Sequence, residues 1–210
     1  MKKDIIKYLN TMISNTGMYT EEMIKHLNGN DPFFKIIEIT PELSARSRNN
    51  EFAVMKDKGV ESLCYLQNDA LKDHVNGDSK TFVILDKDTN EFAGYFTIKI
   101  DYRSMDMFDG KPLIQLLHFC VNKLYVKTAR TVFMNLGVVL FENFVTQIMY
   151  TTAIETNAAG YFCVAPNSKS LIELYGNRLL KKAPGFLAFK LKKRIPIPLD
   201  KKHVILFNTI

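Results

Sequence analysis

Leu113-Ile114-Gln115-Leu116-Leu117-His118-Phe119-Cys120-Val121 is a nine-residue stretch broken only by Gln115 and His118, bounded by Pro112 before it and Asn122 after it. A strand covered on both faces reads as a near-continuous apolar run, whereas a half-exposed strand alternates. The stretch is therefore expected to be the central strand of a sheet, and its flanks decide the architecture around it.

On the C-terminal side, Met134, Gly137, Val138, Phe141, Phe144, Val145 and Ile148 keep the i, i+3, i+4, i+7 spacing of a long helix. Val139 and Leu140 make its first half apolar nearly all round, so that half is expected to be deeply buried. A short strand follows over 160–165. Pro166-Asn167-Ser168 then stops it and caps a last helix with Leu171, Ile172, Leu174, Tyr175 and Leu179 facing inward. Closing strands are expected over 185–193 and 203–208, separated by the extended Ile195-Pro196-Ile197-Pro198.

On the N-terminal side, residues 81–85 and 92–100 read as an antiparallel hairpin joined through Asp86-Lys87-Asp88-Thr89-Asn90. A single helix over 61–74 presents Leu63, Leu66, Ala70 and Leu71 on one side. Pro41-Glu42-Leu43 opens another helix, and residues 33–39 form a strand. The first 30 residues predict two short helices. Ile5, Ile6, Leu9, Met12 and Ile13 form the stripe of one; the other is capped by Thr20, carries Met23, Ile24 and Leu27, and ends at Gly29. The fold class is α/β, with a mixed, mostly antiparallel central sheet flanked by helices. A helical extension over 1–32 precedes a domain over 33–210; the extension is expected to form a lid or cover an edge, with a homodimer contact as the other reading.

The chain has 210 residues, 47% of them hydrophobic and 24% charged, which excludes a disordered or collagen-like chain. No window approaches the roughly 18 uninterrupted apolar residues of a membrane span, and Lys7 and Asn10 break the apolar start, so a soluble, cytoplasmic protein with no membrane partner is expected. Cys64, Cys120 and Cys163 lie far apart and make neither a disulfide framework nor a metal site. Cys120 and Cys163 fall in apolar strands and read as inert. The net charge of +6 is concentrated. Residues 178–202 hold nine basic residues and one acidic, or +8, which leaves 19 basic and 21 acidic elsewhere, or −2. Such a segment suits nucleic acid or another polyanion; a solvated, lysine-rich strand pair is the alternative.

Several of these elements resemble, in residues as well as order, the GNAT superfamily of acyl-CoA-dependent N-acetyltransferases. Phe92-Ala93-Gly94-Tyr95-Phe96-Thr97 is similar to the family strand that opens on valine, glycine and an aromatic residue. Residues 116–122 resemble its central strand, and Asn135-Leu136-Gly137-Val138-Val139-Leu140-Phe141 the start of its cofactor helix. The run from Tyr161 to Tyr175, with Asn167 after the strand and the terminal tyrosine eight residues later, resembles the family most fully. The likeness covers roughly residues 33–193.

The resemblance implies acetyl-CoA as cofactor. Its diphosphate would meet backbone N–H groups at Asn135, Leu136, Gly137 and Val138, where a helix dipole favours negative charge. The family loop reads R/Q-x-x-G-x-G/A; aligned on Gly137, this chain has Val132 and Asn135 in place of the first two signature residues. Backbone groups of Phe119 and Val121, together with Asn167, would serve the rest of the cofactor. Tyr175 takes the position of the acid that protonates the departing thiolate, since a phenol pKa of ~10 lies above the ~8.5 of a thiol. By spacing alone Tyr175 is a core tyrosine of an amphipathic helix. His118 is the titratable imidazole of the central strand, a candidate base or relay, or else a satisfied core residue. Gln115, on the opposite face by strand alternation, would orient substrate. The expected activity is transfer of an acetyl group to a primary amine of a small molecule, protein or aminoacyl-tRNA. The alternative is a catalytically degenerate binding module whose basic segment contacts nucleic acid or an acidic partner.

Overall fold

In the computed structural model, the structure describes residues 20–54, 59–103, 105–128, 136–166, 181–182 and 203–210. The expected helices over 5–13 and 171–179 and the closing strand over 185–193 lie outside these residues. The chain forms two compact units, His26–Lys99 with Leu116–Val145, and Met1–Lys25 with Ile100–Gln115 and Thr146–Ile210.

The first unit is built on strands β1 (Phe34–Glu38), β2 (Lys80–Asp86), β3 (Phe92–Asp101) and the second half of β4 (Leu113–Val121), in that order. β1 and β3 both run antiparallel to β2, with Ile36 opposite Ile84 and Val83 opposite Tyr95. Strand alternation then sorts the side chains. Val83, Leu85 and Tyr95 face a core with Leu43, Phe52 and Leu66, whereas Phe82 and Phe96 stack at 5.0 Å on the other face. Full burial of side chains this size contributes roughly 1.5–3 kcal/mol each. The hairpin turn is fixed by Asp86, whose Oδ1 accepts the N–H groups of Asp88 and Thr89.

Helix α1 runs over 20–30 and passes through Gly29 rather than ending there. Asp31 makes the exit turn, its Oδ1 accepting the N–H groups of Phe33 and Phe34 at 2.9 and 2.8 Å. Asn28 grips the middle of β1. Its Oδ1 accepts from Ile36 N at 2.6 Å, and its Nδ2 donates to Ile36 O at 2.9 Å. Thr40 caps α2 (Pro41–Arg46), with Oγ1 accepting from Leu43 N at 3.2 Å and Pro41 in the first turn. The helix expected over 61–74 is two helices, α3 (Val60–Asn68) and α4 (Ala70–Asn76). They are divided at Asp69 (φ −115°), whose short polar side chain makes it a weak helix former.

After β4 come α5 (Lys123–Thr128) and α6 (Leu136–Leu140), the latter continuing through a π-turn over Phe141–Val145 into α7 (Thr146–Glu155). Leu140, Phe141, Phe144 and Val145 are buried as the periodicity requires. Gly137, Val138 and Val139 are half-exposed, so the first half of this helix is not buried all round.

The second unit continues the strand order from the first half of β4 through β5 (Gly160–Pro166) and β7 (His203–Thr209) to β6 (Lys181–Lys182). β5 and β6 both run antiparallel to β7, with Phe162 opposite Phe207 and Lys181 opposite Phe207. Leu113, Phe162, Ile205 and Phe207 form its core. β4 and β5 are neighbours joined through a helical crossover, the connection that a parallel pair requires, so the sheet is mixed and mostly antiparallel. Among the described residues, no helix is long and apolar enough to cross a membrane.

Asn122 ties off the end of β4. Its Oδ1 accepts from Ala53 N at 3.0 Å and Leu124 N at 3.1 Å, and its Nδ2 donates to Glu51 O at 2.9 Å and Phe92 O at 2.8 Å. The residue is 2% exposed, and both donors and two acceptor sites of its amide are used. Asn122→Ala is expected to destabilise the protein by about 2–4 kcal/mol by stranding backbone groups of three segments. Asn122→Asp cannot donate to Glu51 O and Phe92 O and is expected to do comparable harm; urea unfolding midpoints of the two variants check both outcomes.

Candidate active site on the central strand

The two halves of β4 have different surroundings. Residues 113–116 are buried, and Gln115 is only 7% exposed. Residues 117–121 are half-exposed although all but His118 are apolar, so the unbroken covering expected from the sequence stops midway. The start of α6 is similarly open. A Cβ added to Gly137 would lie 3.4 Å from Val121 Cγ2, which puts the helix start in contact with the strand end. Phe119 meets the same helix, its ring centroid 5.4 Å from that of Phe141.

His118 and Cys120 occupy alternate positions of β4 and meet α3. Ser62 Oγ lies 3.1 Å from His118 Nδ1, and the Tyr65 ring stacks on the imidazole at 4.3 Å and 22°. Tyr95 donates from its hydroxyl to Ser62 O at 2.5 Å. Tyr65 donates to Asp73 Oδ2 at 3.2 Å and shares a hydrogen bond of 2.9 Å with Ser79 Oγ.

Burial sets the protonation of this group. It pushes His118 below the ordinary histidine value, against the attraction of Glu61, so the imidazole is neutral at pH 7. Burial also raises Tyr65 to about 12 and raises Cys120 and Tyr95, so the phenols and the thiol keep their protons. Cys163 is buried in β5 and pushed up to about 12, an inert thiol as its apolar strand suggests. A neutral imidazole on an accessible strand end can accept a proton; the phenols around it cannot.

Of the sequence-derived candidates, the structure brings His118, Phe119, Val121, Leu136, Gly137 and Val138 to the end of β4 and the start of α6. Leu136 is buried there. Tyr175, Asn135 and Asn167 lie outside the described residues. Sequence reasoning missed Ser62, Tyr65 and Asn122. The available signal was that Ser62 and Tyr65 stand at i and i+3, on a row beside the apolar stripe of Leu63, Leu66 and Ala70.

A cavity of about 330 Å³ beside Asn122 is lined by Glu51, Glu91, Phe92, Leu124 and Tyr125. Arg46 Nε holds Glu51 Oε2 at 2.7 Å, but the second carboxylate leaves the wall unsuited to a diphosphate. Among the described residues, no group of three or more His, Cys, Asp or Glu is placed to hold a metal ion.

Gly94 lets β3 approach this strand end. A Cβ there would sit 2.8 Å from Cys120 O and 3.0 Å from Leu140 Cδ1, and the first of these is backbone that cannot swing away. Gly94→Ala is expected to destabilise by roughly 1–3 kcal/mol through overpacking, read as a lowered thermal midpoint.

No protein-family model and no curated protein sequence matches the chain. Solved structures do. AtaTR bound with AcCoA matches at TM-score 0.56 and 13% identity, over 85% of this chain and 94% of that one. An acetyltransferase of the GNAT family from Staphylococcus aureus Mu50 matches at 0.53 and 14%, over 84% and 98%. AtaT complexed with acetyl-methionyl-tRNAfMet matches at 0.53 and 11%, over 84% and 94%. At these identities the likeness is one of architecture, and in architecture the chain has the acyl-CoA N-acyltransferase fold of the GNAT acetyltransferases.

Proposed function

We propose that the protein is an N-acetyltransferase that moves an acetyl group from acetyl-CoA to a primary amine, with His118 as base and Tyr175 as acid. The observation that carries this reading is a neutral imidazole on the accessible half of the central strand of a GNAT fold. The accessible apolar strand end at Leu117, Phe119 and Val121 and the open helix start at Gly137 and Val138 fit a long amide-bearing chain ending in a diphosphate. Backbone groups of Phe119 and Val121 would hold its amides, and residues 135–138 with Asn167 its polar end. Acetyl-CoA supplies the activated acyl thioester. The chain's own residues handle the protons: His118 accepts one from the acceptor ammonium, Tyr175 gives one to the leaving sulfur, and the second proton of the attacking nitrogen restores the Tyr175 phenol as the amide forms. Gln115 is buried in the first half of β4, so its substrate-orienting role requires a ligand that reaches that depth.

The +8 charge over 178–202 favours a polyanionic acceptor such as aminoacyl-tRNA, a class represented by the tRNA in the AtaT complex. It also supports the second reading, a binding module without catalysis. Affinity for nucleic acid is expected to fall with salt along a log–log slope of about 0.7–0.9 per phosphate contacted under either reading, so acetyl-CoA separates them.

Calorimetry is expected to show coenzyme A binding, and Tyr175→Phe to keep that binding while lowering turnover; no binding at millimolar coenzyme A removes the enzyme reading. His118 must be neutral to act, so kcat/KM is expected to fall on acidification through a pKa below the ordinary 6.5. His118→Ala should abolish that acid limb and lower kcat by about 10²–10⁴. A retained limb would assign the proton transfer to another group.

A further inference from the structure

We propose that Tyr65 is a positioning residue for His118: its ring lies face to face on the imidazole and fixes the plane in which the proton-accepting lone pair points. This rests on the reading of His118 as base.

The torsion that turns a histidine ring about its Cβ–Cγ bond has broad minima, so an imidazole without close neighbours sweeps its lone pair through a wide arc. Proton transfer runs along that lone pair, which lies in the ring plane. His118 stands on the half-exposed part of β4, and the neighbours that stop the sweep come from α3. The Tyr65 ring stacks on the imidazole at 4.3 Å between centroids and 22° between planes, a near-parallel contact that a turn of the imidazole would break. Ser62 Oγ, 3.1 Å from Nδ1, sets which edge of the imidazole faces the helix. A half-turn of the ring would put a C–H there in place of the nitrogen, whichever of the two atoms carries the hydrogen.

Tyr65 is itself held at both ends. Its main chain lies within α3, and its hydroxyl donates to Asp73 Oδ2 at 3.2 Å and stands 2.9 Å from Ser79 Oγ. The ring is backed by the buried cluster that includes Phe52, Leu66 and Tyr95, so it cannot swing off the imidazole. Tyr95 ties down the Ser62 main chain on the same helix by donating to its carbonyl oxygen. Burial holds the Tyr65 phenol at about 12, so this side chain steers the base without exchanging a proton with it. The imidazole thus meets an incoming ammonium in one orientation, set before the acceptor arrives.

Proton spectra of the full chain, without ligand, read the arrangement directly. His118 is assigned by its loss in His118→Gln. In the wild type its ring protons are expected upfield of their ordinary positions, because they lie over the Tyr65 ring, and Hε1 should show a nuclear Overhauser contact to the Ser62 β protons. Tyr65→Leu should weaken that Ser62 contact. It should also lower kcat, measured on acetyl-CoA with aminoacyl-tRNA as acceptor, by about 10- to 100-fold, with KM for acetyl-CoA within about twofold. Tyr65→Phe, which keeps the ring face, should keep the upfield shifts, the Ser62 contact and most of the turnover. Unshifted His118 protons in the wild type overturn the proposal even if no variant folds. A folded Tyr65→Leu protein with the Ser62 contact and kcat unchanged overturns it as well, and so does a loss in Tyr65→Phe as large as that in Tyr65→Leu. A rise in KM in place of the fall in kcat has the same force, since Tyr65 would then touch substrate. Full activity in His118→Ala, with the wild-type shifts as expected, overturns the base reading alone.

Discussion

The amide of Asn122 is the constraint on which the strand end depends. Four hydrogen bonds from one side chain join the last turn of β4 to the segment at Glu51 and Ala53, to the start of β3 at Phe92, and to the start of α5 at Leu124. None of these segments is adjacent to another in sequence except β4 and α5. A buried amide with every group matched is worth more than its pairwise bonds because each partner is a backbone group that has lost its water. The position of His118, four residues upstream, is inherited from that fixed end.

From this anchor the strand divides into a half that is buried and a half that is partly exposed. Gly94 allows β3 to run close beneath the open half, Phe119 and Val121 rest on the helix that begins at α6, and His118 and Cys120 turn to α3. One strand thus presents two different chemistries on its two faces, apolar packing on one and a polar cluster on the other. Burial keeps the cluster neutral, since the imidazole is pushed down and the phenols and thiol are pushed up by the same low-dielectric surroundings.

Local patterns foretold much of this. The strand over 113–121, the hairpin around Asp86 and the proline-opened α2 were legible because each rests on short-range signals, namely an apolar run, turn residues and a cap. The errors arose where tertiary context decides. Periodicity reports that Val138 and Val139 are apolar, but not that they stay half-exposed. Apolarity at 117–121 likewise says nothing of whether protein or a ligand is its partner. The imidazole was visible as a lone histidine, whereas its partners were not, because Ser62 and Tyr65 are brought to it from 56 and 53 residues away by the packing of α3 on β4. The break at Asp69 followed a weak preference that a strong apolar stripe concealed.

The grip of Asn28 on Ile36 has a consequence for how the molecule meets its neighbours. Among the described residues β1 is the outermost strand on its side of the sheet, and such a border normally offers a template to any extended chain that drifts past. Here a primary amide imitates the missing strand, occupying the N–H and the C=O of the middle residue at once. An incoming segment would have to strip away that side chain, and the Asp31 carboxylate from the N–H of Phe34, before its own ladder could form, so Asn28 and Asp31 guard this border against edge-to-edge assembly.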